Sequence, residues 1–180
     1  MKDLTATLES KQYTGVFMQL TDGPVDELWT LAGSPAALDA VVANVSAPPK
    51  ARLIAAEVLF RKQAGYHPPD AGALAAVYAA MLRTDVMANP WGMPGELDGP
   101  LGQHLVGIGE PAIAALRPLL DDDRAISYSG SHEATYGNGF KYRVKDFAAF
   151  FVATIRKLPF AVDEDPAVRD RAIAALRAAL

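Results

Sequence analysis

The sequence predicts an all-α fold assembled from antiparallel helical hairpins, and three observations carry that prediction. Apolar residues recur at i, i+3, i+4 and i+7 in most segments, the pattern of amphipathic helices. Three of those segments open on one phrase, a capping residue followed by Pro-Ala: Ser34-Pro35-Ala36, Glu110-Pro111-Ala112 and Asp165-Pro166-Ala167. Beyond residue 30 no run alternates apolar and polar residues between turn signals, as a half-buried strand would. Composition fits an ordinary globular chain of 180 residues, 51% hydrophobic and 21% charged, with a net charge of −4 and no cysteine. At this length folding buries about 70% of the unfolded surface, so no disulfide or metal staple is needed. Without cysteine there is neither a disulfide scaffold nor a thiolate zinc site. The longest apolar runs fall well short of the ~20 residues of a membrane-spanning helix.

Residues 1–33 read as an N-terminal arm and a short helix. Gln12 to Leu20 carries β-branched and aromatic residues that suit a short strand or an extended arm, and Val25, Leu28, Trp29 and Leu31 suit the helix. Residues 34–180 read as a single domain. Ser34 caps and Pro35 opens a helix with Leu38, Val41, Val42 and Val45 on one face. Ala47-Pro48-Pro49 breaks it, and Lys50 to Gln63 follows as a second helix with Leu53, Ala56 and Phe60 on one stripe, Ile54 and Val58 beside it. So short a turn makes these two antiparallel neighbours. Asp70 caps a third helix bearing Leu74, Val77, Tyr78 and Met81, after which Thr84 to Gly99 is a long loop rich in Gly and Pro.

The next helix buries Leu101, Leu105 and Ile108 and closes at Gly109, and its successor buries Ile113, Leu116 and Leu120. Pro118 should bend that successor near its C-terminal end, since proline lacks the N–H and clashes with the carbonyl of Ala114. Residues 121–139 read as a second long, polar loop. From Phe140 or Tyr142 to Lys157 a helix resumes with Val144, Phe147, Ala148, Phe151, Ile155 and Leu158 on one stripe. Asp165-Pro166 then caps a final helix with Val168, Ala172, Ile173, Leu176 and Leu180 inward.

The repeated Pro-Ala phrase recurs at irregular intervals of 76 and 55 residues, counted from Pro35 to Pro111 and from Pro111 to Pro166. With the two long loops as insertions, the helix–turn–helix units read as one supersecondary element used several times. In Leu101-Gly102-Gln103-His104-Leu105 through Ile113-Ala114-Ala115-Leu116-Arg117-Pro118, in Tyr142 to Ala149 and in Asp165-Pro166-Ala167-Val168-Arg169-Asp170, the chain resembles the HEAT-like helical-repeat proteins, including the group named after phycobilisome lyases. The resemblance spans Ser34 to Gln63 and Leu101 to Leu180, and implies a HEAT-like α-solenoid over 34–180 interrupted by two long loop insertions. Such repeats serve mostly as protein-binding scaffolds and occasionally as bilin-processing or DNA-repair enzymes. No catalytic motif of the family is present here, so no catalytic residue is carried over.

Long aperiodic loops in compact domains are often functional, which directs attention to 84–99 and 121–139. The second holds His132, Glu133 and Tyr136 ahead of Tyr142, Arg143 and Lys145. Trp91, in Asn89-Pro90-Trp91-Gly92-Met93-Pro94, is either an exposed anchor or a plug folded back on helix ends. No metal is expected: His132 and Glu133 are adjacent and diverge by about 100° on a helix, and Asp121-Asp122-Asp123 lacks the spacing of a calcium loop. There is no nucleophile elbow, no dinucleotide turn and no phosphate-cradling Lys motif, so neither a catalytic residue nor a cofactor is assigned. His104 sits on an apolar face and reads as a satisfied core or interface histidine.

The expected function is therefore non-enzymatic binding of another protein, with Trp91, Tyr136, Tyr142 and Arg143 as anchors, because aromatic and Arg side chains dominate hot spots. A small-molecule or catalytic site under loop 121–139, made by His132, Glu133, Tyr136 and Arg143, is the alternative. The charge pattern supplies a third: residues 140–180 hold 8 basic and 5 acidic side chains against 9 and 16 in residues 1–139, so Lys141, Arg143, Lys145, Arg156 and Lys157 could form a ridge for weak nucleic-acid binding. The acidic total argues against that third reading. Met1-Lys2-Asp3-Leu4-Thr5 shows no secretory signal, which gives a cytoplasmic location as the expectation.

Overall fold

A computed structural model describes residues 3–84, 87–130 and 132–180, the side chains of His132 and Glu133 excepted. The architecture is all-α, and none of the described helices is long and apolar enough to cross a membrane. The chain divides into two compact units, Met1–Met81 and Leu82–Leu180, whereas the sequence reading separates 1–33 from 34–180.

In the first unit, α1 (Leu4–Ser10), α3 (Gly23–Ala32) and α4 (Pro35–Ala43) pack against α5 (Pro49–Lys62). The expected strand or arm over Gln12 to Leu20 is instead a helical turn, α2 (Tyr13–Phe17). Its β-branched and aromatic residues are overruled because Tyr13 and Val16, spaced i and i+3, both reach the core. α6 (Ala71–Thr84) starts where expected, with the Asp70 carboxylate accepting from the amide of Ala73 at 2.9 Å.

α5 is not the amphipathic helix its stripe suggests. Every residue from Ala51 to Leu59 is buried, Arg52 and Glu57 included. Its N-terminus has prolines at 48 and 49 and no side-chain cap of its own; the Glu9 carboxylate of α1 supplies one, accepting from the amide of Ala51 at 3.1 Å. Arg52 donates through Nε to the carbonyl of Val42 at 2.8 Å, near the C-terminal end of α4. Glu57 accepts from Tyr13 at 3.1 Å on one oxygen and from Tyr78 of α6 on the other. Burial first, and then the negative charge of Glu57, pushes both hydroxyls' pKa up, so they stay protonated and donate. One carboxylate thus ties α2, α5 and α6 together.

In the second unit, α7 (Pro100–Ile108), α8 (Glu110–Leu116) and a 3₁₀ turn (Arg117–Asp121) pack against α10 (Val144–Arg156), as does α11 (Pro166–Ala178). Pro118 acts as its chemistry requires, and the α-helix gives way to the 3₁₀ turn just before it. α10 is buried at Val144 and from Asp146 through Ala153, with Phe147, Phe150 and Phe151 inside. It begins later than the expected 140 or 142 because Tyr142 to Val144 pair with the chain at 124–126. The amide of Ile126 donates to Tyr142 at 3.0 Å and that of Val144 donates to Arg124 at 2.9 Å. The buried face of α11 is Arg169, Ile173 and Leu176, a charged residue standing where Val168 and Ala172 were expected.

Replacing Glu57 with Leu fills the site with an apolar side chain and removes the acceptor that both tyrosines use. We expect a loss of about 2–4 kcal/mol, read as a lower urea midpoint, with a smaller loss for Glu57→Gln, which retains one acceptor oxygen. Equal midpoints for Glu57→Leu and the wild type would remove Glu57 as the tie.

Candidate functional site

The two stretches that the sequence marks as long loops are stitched to one another, and neither is a plain loop. A 3₁₀ turn forms over Asn89–Trp91, and α9 (His132–Phe140) is a helix where a loop was expected. Ala88 donates its amide to the carbonyl of Ser127 at 2.7 Å. Asn89 then exchanges two bonds with Ser129, its side-chain amide donating to the carbonyl and its oxygen accepting the amide hydrogen, both at 2.8 Å. Tyr128 turns inward between them and donates its hydroxyl to the carbonyl of Gly92 at 2.8 Å.

Tyr128 also positions α9. Asn138 accepts from its amide at 2.8 Å and donates to its carbonyl at 3.0 Å. Gly137 lies flat on its ring: a Cβ there would stand 2.2 Å from Cδ2, so only glycine fits. The ring packs in turn with Tyr142 and Phe147, at 6.4 Å between centroids in each case. Burial holds the Tyr128 hydroxyl protonated by pushing its pKa up.

Below this platform lies a charged cluster at the start of α10. Asp146, fully buried, accepts from the Arg143 amide at 2.8 Å and grips its guanidinium at 2.9 and 3.0 Å. Arg169, also fully buried, brings Nε to 3.1 Å from Asp146, a charge contact without hydrogen-bond alignment. Its other nitrogens donate to the carbonyls of Phe140 at 2.9 Å, Glu164 at 3.1 Å and Asp163, and its plane sits 5.2 Å over the Tyr142 ring. Outside that pair, Arg143 meets Asp170 at 2.9 Å and Asp123 at 3.4 Å, and Lys145 meets the same two acids at 2.9 and 2.6 Å. Burial works against both cations, but the hydrogen bonds to Asp146 and Asp170 raise the Arg143 pKa, and those to Asp123 and Asp170 raise that of Lys145. Arg143 first, then Lys145, holds the Asp170 carboxyl below the ordinary carboxylate range. Burial pushes the Tyr142 hydroxyl up to about 12, against the pull of Arg169.

The expected site residues are therefore only partly brought together. Trp91 and Tyr142 are each 1% exposed, which corrects their assignment as surface anchors: Trp91 is the plug, packed near Phe151, and Tyr142 is core. Arg143 and Lys145 are largely buried in the ion cluster. Tyr136 is 60% exposed on α9. The side chains of His132 and Glu133 lie outside the described residues, so the expected convergence on them has no geometry here. Arg156 and Arg177, further members of the basic C-terminal quarter, pair with Glu110 and Asp121. Among the described residues no group of three or more His, Asp or Glu side chains is arranged to hold a metal ion.

Sequence reading gave no site role to Arg169, Asp170, Tyr128, Asn138 or Gly137. The signal for Arg169 was present: it falls at i, i+4 and i+7 with Ile173 and Leu176, a charge inside an apolar stripe. In comparisons with protein families, curated proteins and solved structures, nothing matched the chain.

Two outcomes test this geometry. Gly137→Ala drives a methyl into the Tyr128 ring and should cost about 1–3 kcal/mol, seen as a lowered thermal midpoint; an unchanged midpoint would mean that α9 is not seated on that ring. For Asp170, the folded pKa is depressed, so its contribution is present above the ordinary carboxylate range and disappears as pH falls through it. The thermal midpoint should fall between about pH 5 and pH 3, and Asp170→Asn should lower it at pH 7 while making that fall shallower. A variant with an unaltered acid profile would show that the pairs of Asp170 with Arg143 and Lys145 contribute nothing.

Proposed function

We propose that the chain is a HEAT-like helical-repeat domain that binds another protein and performs no chemistry of its own. The observation that carries this reading is the surface built by the two stitched segments. Tyr136, 60% exposed, stands on it among exposed Ser127, Ser129, Gly130, Thr135, Asn138 and Gly139, uncharged residues on a segment held by Tyr128. Tyrosine set in Ser, Gly and Asn is the composition of antibody paratopes: the ring supplies rigid contact area at small entropic cost, and the small polar residues adapt their hydrogen bonds. A platform ordered before the partner arrives loses less on binding. In this reading the antiparallel helix pairs α7–α8 and α10–α11 are the repeat units.

The pairing of Arg143, Lys145, Arg156 and Arg177 with acids of the same unit favours a protein partner over phosphates, because a bound phosphate would have to displace carboxylates already in place. A photo-crosslinking residue at position 136 tests the reading directly. In lysate from the source organism it should yield a discrete protein adduct that the same residue at Leu158 does not. Tyr136→Ala should keep the helical circular-dichroism spectrum of the folded chain and lose at least about tenfold in affinity for that protein. No adduct at 136, or undiminished binding by Tyr136→Ala, would overturn the proposal.

A further inference from the structure

We propose that the outward face of α3 is a second docking surface, one that receives a basic amphipathic segment of another protein. Gly23, Asp26, Glu27, Thr30 and Leu31 stand at i, i+3, i+4, i+7 and i+8, on the side of the helix away from buried Val25 and Leu28. They line an open hollow of about 480 Å³, room for several side chains. Large apolar side chains that water reaches gather on the same stretch: Leu20 is fully exposed, Met18 47% and Leu31 41%. Scattered single leucines on a surface need no explanation, but these bracket one helix face, with Met18 and Leu20 just before its N-terminus and Leu31 in its last turn.

Charge decides which occupant fits. Asp22 pairs with Arg61 and Asp26 with Lys62, the two cations at the end of α5. No ion pair among the described residues reaches Glu27, which lines the middle of the hollow. Three acids against two bases leave this face negative. It therefore repels an anionic bilayer and fits a helix that lays apolar side chains on Leu20 and Leu31 and brings a Lys or Arg to Glu27.

The probe is a fluorescein-labelled amphipathic peptide of Leu, Ala and Lys about five helical turns long, titrated with the full chain by anisotropy. Saturable binding is expected, weakened at least about fivefold by Leu20→Ser and at least about tenfold by Glu27→Lys. Val45→Ser, which alters another exposed apolar residue beyond the C-terminal end of α4, should bind as the wild type does, and the peptide with Glu in place of Lys should not bind. Absence of saturable binding, or equal affinity across all three variants, would overturn the proposal. So would a wild-type dimer in light scattering that Leu20→Ser dissociates, which assigns the face to a second copy. Leu20-dependent sedimentation with phosphatidylcholine vesicles would overturn it too, by assigning the face to lipid.

Discussion

Two opposite charges with no access to water, Asp146 and Arg169, set the geometry of the C-terminal unit. Neither is tolerable alone in that position, since an uncompensated buried ion costs several kcal/mol. Each therefore dictates its surroundings. Asp146 fixes where α10 begins by accepting the Arg143 amide, and Arg169 gathers the carbonyls of Phe140, Asp163 and Glu164 around the edge of α11. The backbone at Lys141 takes a left-handed φ of 53° next to these bonds, a conformation that costs a non-glycine residue about 1 kcal/mol or more and that the surrounding bonds offset. Tyr142, clamped between Arg169 and Phe147, carries this order to Tyr128 and so to α9.

The N-terminal unit uses the same physics with other residues. α5, like α10, is buried around its whole circumference and carries charge into the interior, Arg52 toward the end of α4 and Glu57 toward Tyr13 and Tyr78. A helix buried on all sides loses the directional cue of an amphipathic stripe. Buried polar groups restore that cue, because only one rotation of the helix satisfies both Arg52 and Glu57.

Much of this was legible in the sequence. Caps at Ser34, Asp70 and Asp165 and the apolar stripes located α4, α6, α7, α8, α10 and α11 to within a few residues, since those signals are local. α9 was not legible: His132 to Phe140 contains two glycines and an asparagine, a composition whose helix propensity is poor by about 1 kcal/mol per glycine, and it is helical because Gly137 and Asn138 fit Tyr128. Tyr136, Trp91 and Tyr142 were expected alike as anchors, and of the three only Tyr136 is exposed. An aromatic side chain suits a core and a hot spot equally well, and only the tertiary partners, Phe151 for one and Arg169 for the other, separate the two cases. Arg169 was missed for the converse reason, because a charged residue is assigned to solvent unless its counter-ion is known.

The reciprocal pair between Asn89 and Ser129 joins points 40 residues apart. Closing a flexible loop of that length costs on the order of 3 kcal/mol in chain entropy, more than two hydrogen bonds return. The junction can close only after α7, α8 and the 3₁₀ turn have already drawn its ends together, which makes it a late event in folding. The Tyr136 surface is thus a report on completed assembly: a chain still incomplete in its C-terminal unit does not display it.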